Sequence, residues 1–323
     1  MAASAITVFR RSPEASRPGR DRKRDDMAAE SGTPGAGLRL AVLGAGVMGS
    51  GIAALAVGHG IAVSLIDLDR RRLDEAPARI GHQVRMAQLM GALPEGVAPG
   101  ALVTGLSLTD LVTAGDAAPT AVIEAVTEDA DAKAKVLADL SALVAPGVPI
   151  ISNTSAIPID ELARAAARPE DLIGTHFMNP PYLIRTVEVI RGTWTGEATL
   201  EALRALLAAL RREPIVVTDA PGFVTSRILH PMINDAVRVV AAGTADVESV
   251  DRLMQGCLGH PTGPLRTADL IGLDNLVDSL WVLHSRTGDE GCRPCDLLLE
   301  MVRAGHLGRK SGRGFYEYEG EQT

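Results

Sequence analysis

The feature that most limits what this chain can fold into is a glycine-rich turn between a short apolar run and a helix of small residues. Leu38–Leu43 (LRLAVL) reads as a buried parallel strand. It runs into Gly44-Ala45-Gly46-Val47-Met48-Gly49, a G-x-G-x-x-G pattern, and Ser50–Gly60 continues as a helix. Ile61–Ile66 is a second strand, ending at Asp67. In that context each glycine has a physical reason. Gly44 permits the tight turn, Gly46 lets the backbone approach a pyrophosphate, and Gly49 lets helix and strand pack closely. The unpaired N–H groups at the helix start, around Val47 and Met48, then face the phosphates with the positive end of the helix dipole.

Asp67 lies 18 residues after Gly49, where a carboxylate can accept from a ribose 2′-hydroxyl and would repel a 2′-phosphate. NAD is therefore the expected cofactor. Arg70, Arg71 and Arg72 follow closely and could hold a 2′-phosphate; read as the solvated start of a helix, they leave NAD in place.

Further strands are read at Ala121–Val126, Val148–Ser152 and Leu172–His176, with an amphipathic helix around Ala132–Leu143 before the second of these. Strands alternating with helices argue a doubly wound, mainly parallel α/β sheet. Ligands of such sheets sit at the carboxyl ends of the strands. Glu128, Asn153-Thr154-Ser155 and His176 fall just there.

Composition excludes other classes. A net charge of −8 gives no electrostatic basis for broad nucleic-acid binding. There is no 18-residue uncharged apolar run, so no membrane span is expected. Three cysteines do not make a disulfide scaffold and suit a reducing compartment, so we expect a cytoplasmic protein. Residues 1–36 are rich in Arg, Ser, Pro and Gly without sustained periodicity, and we read them as a disordered tail, with Met27 a second candidate start.

The segments GAGVMGSGIA, VIEAVTEDADAK, ISNTSAIPI, GTHFMNPP, TVEVIRG, DAPGFVTSRIL, GHPTGPLRTADLIGLD and LGRKSGRGFYEY stand in one order along residues 38–318. Together they resemble the 3-hydroxyacyl-CoA dehydrogenase family, which includes 3-hydroxybutyryl-CoA dehydrogenases of fatty acid metabolism. The resemblance implies a Rossmann-type NAD-binding domain, placed at residues 37–219, and an all-α C-terminal domain at 220–323 that makes a homodimer. It implies reversible oxidation of a 3-hydroxyacyl thioester to the 3-oxoacyl thioester, and no metal.

It also implies residue roles. His176 matches the catalytic histidine, a side chain that ordinarily titrates near neutrality and can take the C3 hydroxyl proton. Glu188, 12 residues later, matches its carboxylate partner, which would orient the ring and stabilise the imidazolium. Ser155 matches a serine that contacts substrate and nicotinamide; a helix N-cap is its plainer reading. Glu128, Lys133 and Asn179 match positions near the nicotinamide ribose and amide, and Lys310 a cofactor contact from the C-terminal end.

The chain departs from the family pattern P-G-F-x-x-N-R. It reads Pro221-Gly222-Phe223-Val224-Thr225-Ser226-Arg227, so Ser226 replaces the Asn that holds the thioester carbonyl. From Ser226 onward the periods are helical: Arg227–Ala242 closed by Gly243, Val247–Cys257, one long apolar helix over Asp269–His284, and Leu297–Ala304. Cys292 and Cys295 form a lone C-x-x-C, short of the four ligands of a structural zinc and read as structural rather than redox-active.

The substrate is less constrained than the reaction. Residues 70–100 contain no lysine for CoA phosphates, leaving Arg79 and Arg85. The acyl carrier is therefore CoA or an acyl carrier protein; the latter resembles the dehydrogenases of glyceryl or similar hydroxyacyl groups that make polyketide extender units. A free 3-hydroxy acid and a non-catalytic NAD-binding protein are further alternatives. A serine at 226 is too short to replace Asn fully, at a cost of about 1–3 kcal/mol for a lost hydrogen bond. We therefore predict that Ser226→Asn raises kcat/KM on an ordinary 3-hydroxyacyl-CoA; an unchanged or lower value contradicts this.

Overall fold

β1 (Arg39–Leu43) leads into α1 (Val47–Gly58), β2 (Ala62–Ile66), α2 (Arg70–Leu89), β3 (Leu102–Gly105) and α3 (Thr109–Val112). β4 (Ala121–Glu124), α4 (Ala130–Leu143), β5 (Ile150–Asn153), α5 (Ile159–Ala163), β6 (Leu172–His176), β7 (Thr186–Arg191), α6 (Glu197–Ala209) and β8 (Glu213–Thr218) follow. The rest is helical: α7 (Thr225–Ala241), α8 (Val247–Leu258), α9 (Pro264–Ile271), α10 (Leu273–Thr287) and α11 (Asp296–Arg303). This computed structural model describes residues 37–112 and 118–318, so the tail read at 1–36 lies outside the described residues.

The eight strands form one sheet in the order β3-β2-β1-β4-β5-β6-β7-β8. Neighbours are parallel except β6 and β7, which pair antiparallel with His176 opposite Glu188. Strand order reverses between β1 and β4, which opens a crevice beyond their carboxyl ends. The hydrophobic runs of β1, β4 and β5 are buried on both faces. One layer packs α1, α2 and α6 on the sheet through Leu55, Ile80 and Leu203; the other packs α4 and α5 through Leu137, Leu140 and Ile159. A third core, around Ile233, Leu265, Leu276 and Leu298, holds α7 to α11 together.

The sequence reading misses β3 and β8. Both are edge strands with exposed residues: β3 is only four residues long, and β8 exposes most of its Ile215-Val216-Val217 run. The single helix expected over Asp269–His284 is two. Gly272 has φ +95°, which no continuing helix adopts, and the chain turns there between α9 and α10. The glycine in LIGLDN was the available signal.

Two buried carboxylates organise the helical part. Asp251 accepts from the backbone N–H groups of Leu265 and Arg266 and from the Tyr316 hydroxyl. Asp269, 1% exposed, accepts from the N–H groups of Phe315 and Tyr316, both at 2.9 Å, and from the Tyr318 hydroxyl at 3.1 Å. The C-terminal segment is thereby laid back over α9. Arg286 on α10 reaches Glu161 on α5 through two hydrogen bonds, at 2.8 and 2.6 Å, and ties helices to sheet.

Removing the Asp269 carboxylate orphans several donors at once. We expect Asp269→Ala to cost about 3 kcal/mol of stability in urea unfolding; a loss below about 1 kcal/mol would show that the strap is held by packing alone.

Candidate active site

The glycine turn is built as its chemistry demands. Gly44 has φ +97°, and a Cβ at Gly49 would collide with the Gly44 carbonyl oxygen. A Cβ at Gly46 would meet nothing within 4 Å, so the loop is open on that side. Gly46 caps α1 without a side-chain hydrogen bond, which leaves the helix N-terminus at Val47 and Met48 to a ligand. Asp67, at the end of β2, accepts from Ala45 N at 2.6 Å and from Asp69 N at 2.8 Å. Its carboxylate therefore stands at the turn, with lone pairs to spare. Arg71 and Arg72 are engaged at the start of α2, with Glu75 and Asp69. These residues fit a dinucleotide with a free ribose 2′-hydroxyl.

Arg79 differs from its expected use. Its guanidinium turns inward and donates to Ala45 O and Ser50 Oγ, bracing the turn from behind, so it is not an outward group for CoA phosphates.

Beyond β4 and β5, Glu128 gathers the loop ends. Its Oε1 accepts from Thr154 Oγ1 and Ser155 N, both at 2.6 Å, and from Ala156 N at 3.1 Å. Lys133 is wholly enclosed; Nζ donates to Glu124 at 2.7 Å and lies 3.4 Å from Glu128. Burial works against its charge, but the two carboxylates outweigh burial and hold the ammonium above the ordinary lysine range. Any part Lys133 plays at a cofactor thus runs through Glu128. Ser155 is half-buried beside them. It is not the cap of α5: Pro158 holds that position, and the hydroxyl bonding the loop backbone is Thr154's, to Ile157 N at 3.1 Å. Asn179 is exposed on the loop after β6. Lys310 donates to Asp274 at 2.6 Å, at the start of α10.

His176 and Glu188 meet across β6 and β7. His176 Nδ1 lies 3.1 Å from Glu188 Oε2 and 3.1 Å from Thr225 Oγ1, and Thr225 donates to the same Oε2 at 2.7 Å. Glu188 Oε1 accepts from Val224 N at 2.7 Å and Thr225 N at 3.3 Å. Phe223, held at φ +52° after Pro221-Gly222, sets its ring edge-on to His176 at 6.3 Å. Burial acts to raise the Glu188 pKa, but hydrogen bonds from His176, Thr225 and Val224 N prevail and hold it below the ordinary value of 4.5. An ionised carboxylate only accepts, so Nδ1 must carry the proton, and the Nε2 lone pair is left for a substrate. Asn153 fixes the strand end, accepting from Phe177 N at 3.1 Å.

Ser226 and His230 lie on α7, next to Thr225, and both are buried. Among the described residues, Ser226 Oγ and His230 Nδ1 have no hydrogen-bond partner. Burial, and then the charge on His176, push the His230 pKa down to about 4. Cys292 and Cys295 are free, and burial pushes the Cys292 thiol up, which disfavours the thiolate that redox chemistry needs.

Sequence reasoning missed Thr225, Glu124 and His230. Thr225 and His230 had a legible signal, one adjacent to Ser226 and the other one helical turn beyond it. Glu124 had none, since a strand-end carboxylate gives no hint of a buried lysine nine residues on.

The chain matches two family models: the NAD binding domain of 3-hydroxyacyl-CoA dehydrogenase over residues 39–220, and its C-terminal domain over 222–318. It is 40% identical over 281 residues to a probable 3-hydroxybutyryl-CoA dehydrogenase of Bacillus subtilis, covering 87% of this chain and 97% of that one. A 3-hydroxybutyryl-CoA dehydrogenase of Bradyrhizobium diazoefficiens is likewise 40% identical, over 87% and 96% of the two chains. The crystal structure of (S)-3-hydroxybutyryl-CoA dehydrogenase PaaH1 from Ralstonia eutropha superposes with a TM-score of 0.75 at 37% identity, covering 87% and 99%.

The sign of the Glu188 effect gives a test. A carboxyl held low in the folded chain adds stability above its unfolded pKa, and that contribution disappears as pH falls through the folded value. We expect the stability gap between wild type and Glu188→Gln in urea unfolding to hold above the ordinary carboxylate value of about 4.5 and to narrow as pH falls below it. A gap independent of pH would contradict the charged clamp.

Proposed function

The chain belongs to the 3-hydroxyacyl-CoA dehydrogenase family, and from that premise we propose an NAD-dependent oxidation of a 3-hydroxyacyl-CoA to the 3-oxoacyl-CoA, run by His176. The observation that carries this reading is the clamp on His176 Nδ1 by Glu188 and Thr225, which turns a basic Nε2 to the acyl group. NAD, when bound, supplies the acceptor for the hydride that leaves C3 with the C–H electron pair. The O–H electron pair becomes the second bond of the C3 carbonyl, and His176 Nε2 takes the hydroxyl proton. Glu188 stabilises the imidazolium so formed, and Thr225 holds the carboxylate in line. For reduction the same steps run backward, with the imidazolium as acid.

The turn from Gly44 to Gly49 would hold the pyrophosphate and Asp67 the adenosine ribose. Glu128 would meet the nicotinamide ribose, with Lys133 positioning Glu128. Ser155, Asn179 and Lys310 border the nicotinamide end, and Ser226 the acyl end. Residues 37–219 serve the cofactor, and residues 220–323 close the acyl site and pair two copies of the chain. The homodimer reading is supported by large exposed apolar side chains on the helices, among them Ile228, Leu253, Leu258 and Trp281. Free cysteines favour a reducing compartment, and we place the enzyme in the cytoplasm.

The test is NADH oxidation with acetoacetyl-CoA beside the same acyl group on an acyl carrier protein. We expect turnover with the CoA thioester; turnover with the carrier protein alone would overturn the CoA assignment. His176→Ala should keep NADH binding and lose about 10²–10⁴-fold in kcat. A variant that binds NADH and turns over normally would remove His176 from the chemistry.

A further inference from the structure

At the turn from α6 into β8 a positive charge is buried without a negative one. Arg212 is 6% exposed. Its Nη2 donates to Tyr182 O at 3.3 Å, on the loop between β6 and β7, and its Nε is enclosed without a hydrogen-bond partner among the described residues. Burial, and then the charge on Arg185, push its pKa down, so the charge that bears on it has the same sign. Buried charges are ordinarily paired, and a guanidinium left in this state asks for an anion.

The fold gathers further positive groups around it. Thr186 stands opposite Glu213 in the β7–β8 register, and Glu213 N donates to Arg185 O at 2.9 Å, so Arg185 and Arg212 are neighbours on strands about 4.8 Å apart. Val187 and Val189 pack in the core with α1 and α6, so Arg185 leaves the sheet on that face, and Arg212 leaves with it. Glu213 alternates to the opposite face, the one on which Val217 packs. Arg211 ends α6 with φ +52°, a conformation that favours glycine, and the strained turn sets a third guanidinium beside the other two. His59, at the C-terminal end of α1, is 4% exposed. Its Nδ1 donates to Leu55 O at 2.8 Å, and its Nε2 is a second enclosed atom without a partner. Burial first, then the charges on Arg212 and Arg211, hold its pKa down. Arg185 and Arg211 are exposed, so a solute reaches the cluster from solvent.

We infer that Arg185, Arg211 and Arg212 hold a phosphoryl group, with His59 behind them. A guanidinium pairs phosphate oxygens through two parallel N–H donors. A phosphoryl group brings about two negative charges and three accepting oxygens at neutral pH, enough to partner more than one arginine; a carboxylate brings one charge. The group comes from the CoA thioester, whose phosphates Arg79 does not face, or from a free phosphate compound. The first source rests on the function proposed above; the site itself does not.

The experiment compares wild type with the double variant Arg185→Ala/Arg211→Gly. It removes the two exposed arginines, and glycine suits the left-handed turn, so the fold is kept. Both proteins are saturated with NADH to fill the glycine turn, and Tm is read in inorganic phosphate against sodium chloride of equal ionic strength. We expect phosphate to raise the Tm of wild type by about 2 °C or more and that of the variant by less than half as much. KM is then measured for acetoacetyl-CoA and for acetoacetyl-pantetheine, which lacks the phosphates. A KM raised about tenfold in the variant for the CoA thioester alone assigns the site to the phosphates of the substrate. Unchanged KM values with a lost Tm response assign it to a free phosphate compound. A variant equal to wild type in both readouts overturns the inference. So does a KM raised equally on both thioesters with the Tm response intact. Wild type that turns over neither thioester overturns the proposed function, and the Tm comparison still decides the phosphoryl site.

Discussion

One carboxylate ties the chemistry of this chain to its architecture. Glu188, on β7, where the sheet reverses direction, collects His176 from β6 and Thr225 and Val224 N from the start of α7. Three elements distant in sequence thus converge on two oxygen atoms. The carboxylate sets the imidazole tautomer, fixes where the helical part begins, and is itself held ionised by what it binds. A clamp of this kind transmits order both ways: a helix out of register would release the ring, and a rotated ring would loosen the helix. The antiparallel pairing of β6 and β7 is what makes it possible, since it brings residues 12 apart into direct opposition.

A second buried cluster does the same work beyond β4 and β5. Lys133, Glu124 and Glu128 bring charge into the interior, where an unpaired charge would be costly. Their mutual attraction, with Ser152 donating to Glu124, satisfies the group and leaves Glu128 free to hold the turn that carries Ser155. The candidate site therefore rests on two carboxylates, Glu128 and Glu188, that organise the backbone around them. Arg79 adds a third brace, behind the glycine turn.

Much of this was legible in the sequence, and for identifiable reasons. The glycine turn is a local device whose residues and conformation coincide, so it could be read directly, as could the strands buried on both faces. His176 was readable because strand ends in a doubly wound sheet are where ligands sit, and Glu188 through the family resemblance. What escaped was non-local or marginal. β3 and β8 lie at the sheet edges, where burial writes little into the sequence. Gly272 broke a helix that periodicity alone had continued, because tertiary contacts with the C-terminal strap favoured the turn. Thr225 and His230 were marked only by their spacing to Ser226, a signal passed over until the fold set Thr225 on His176, and Lys133 gave no sign that it would be enclosed rather than presented to a cofactor.

The central claim is that His176 presents a bare Nε2 to the acyl group because Glu188 and Thr225 keep the proton on Nδ1. Nitrogen-15 NMR of the free enzyme, with histidine labelled in the ring and His176 assigned by its Ala variant, reads the tautomer directly. At about pH 8, above the ordinary imidazole range, the account predicts a protonated Nδ1 and an unprotonated Nε2 at His176. A proton on Nε2, with the lone pair turned toward Glu188, would contradict it.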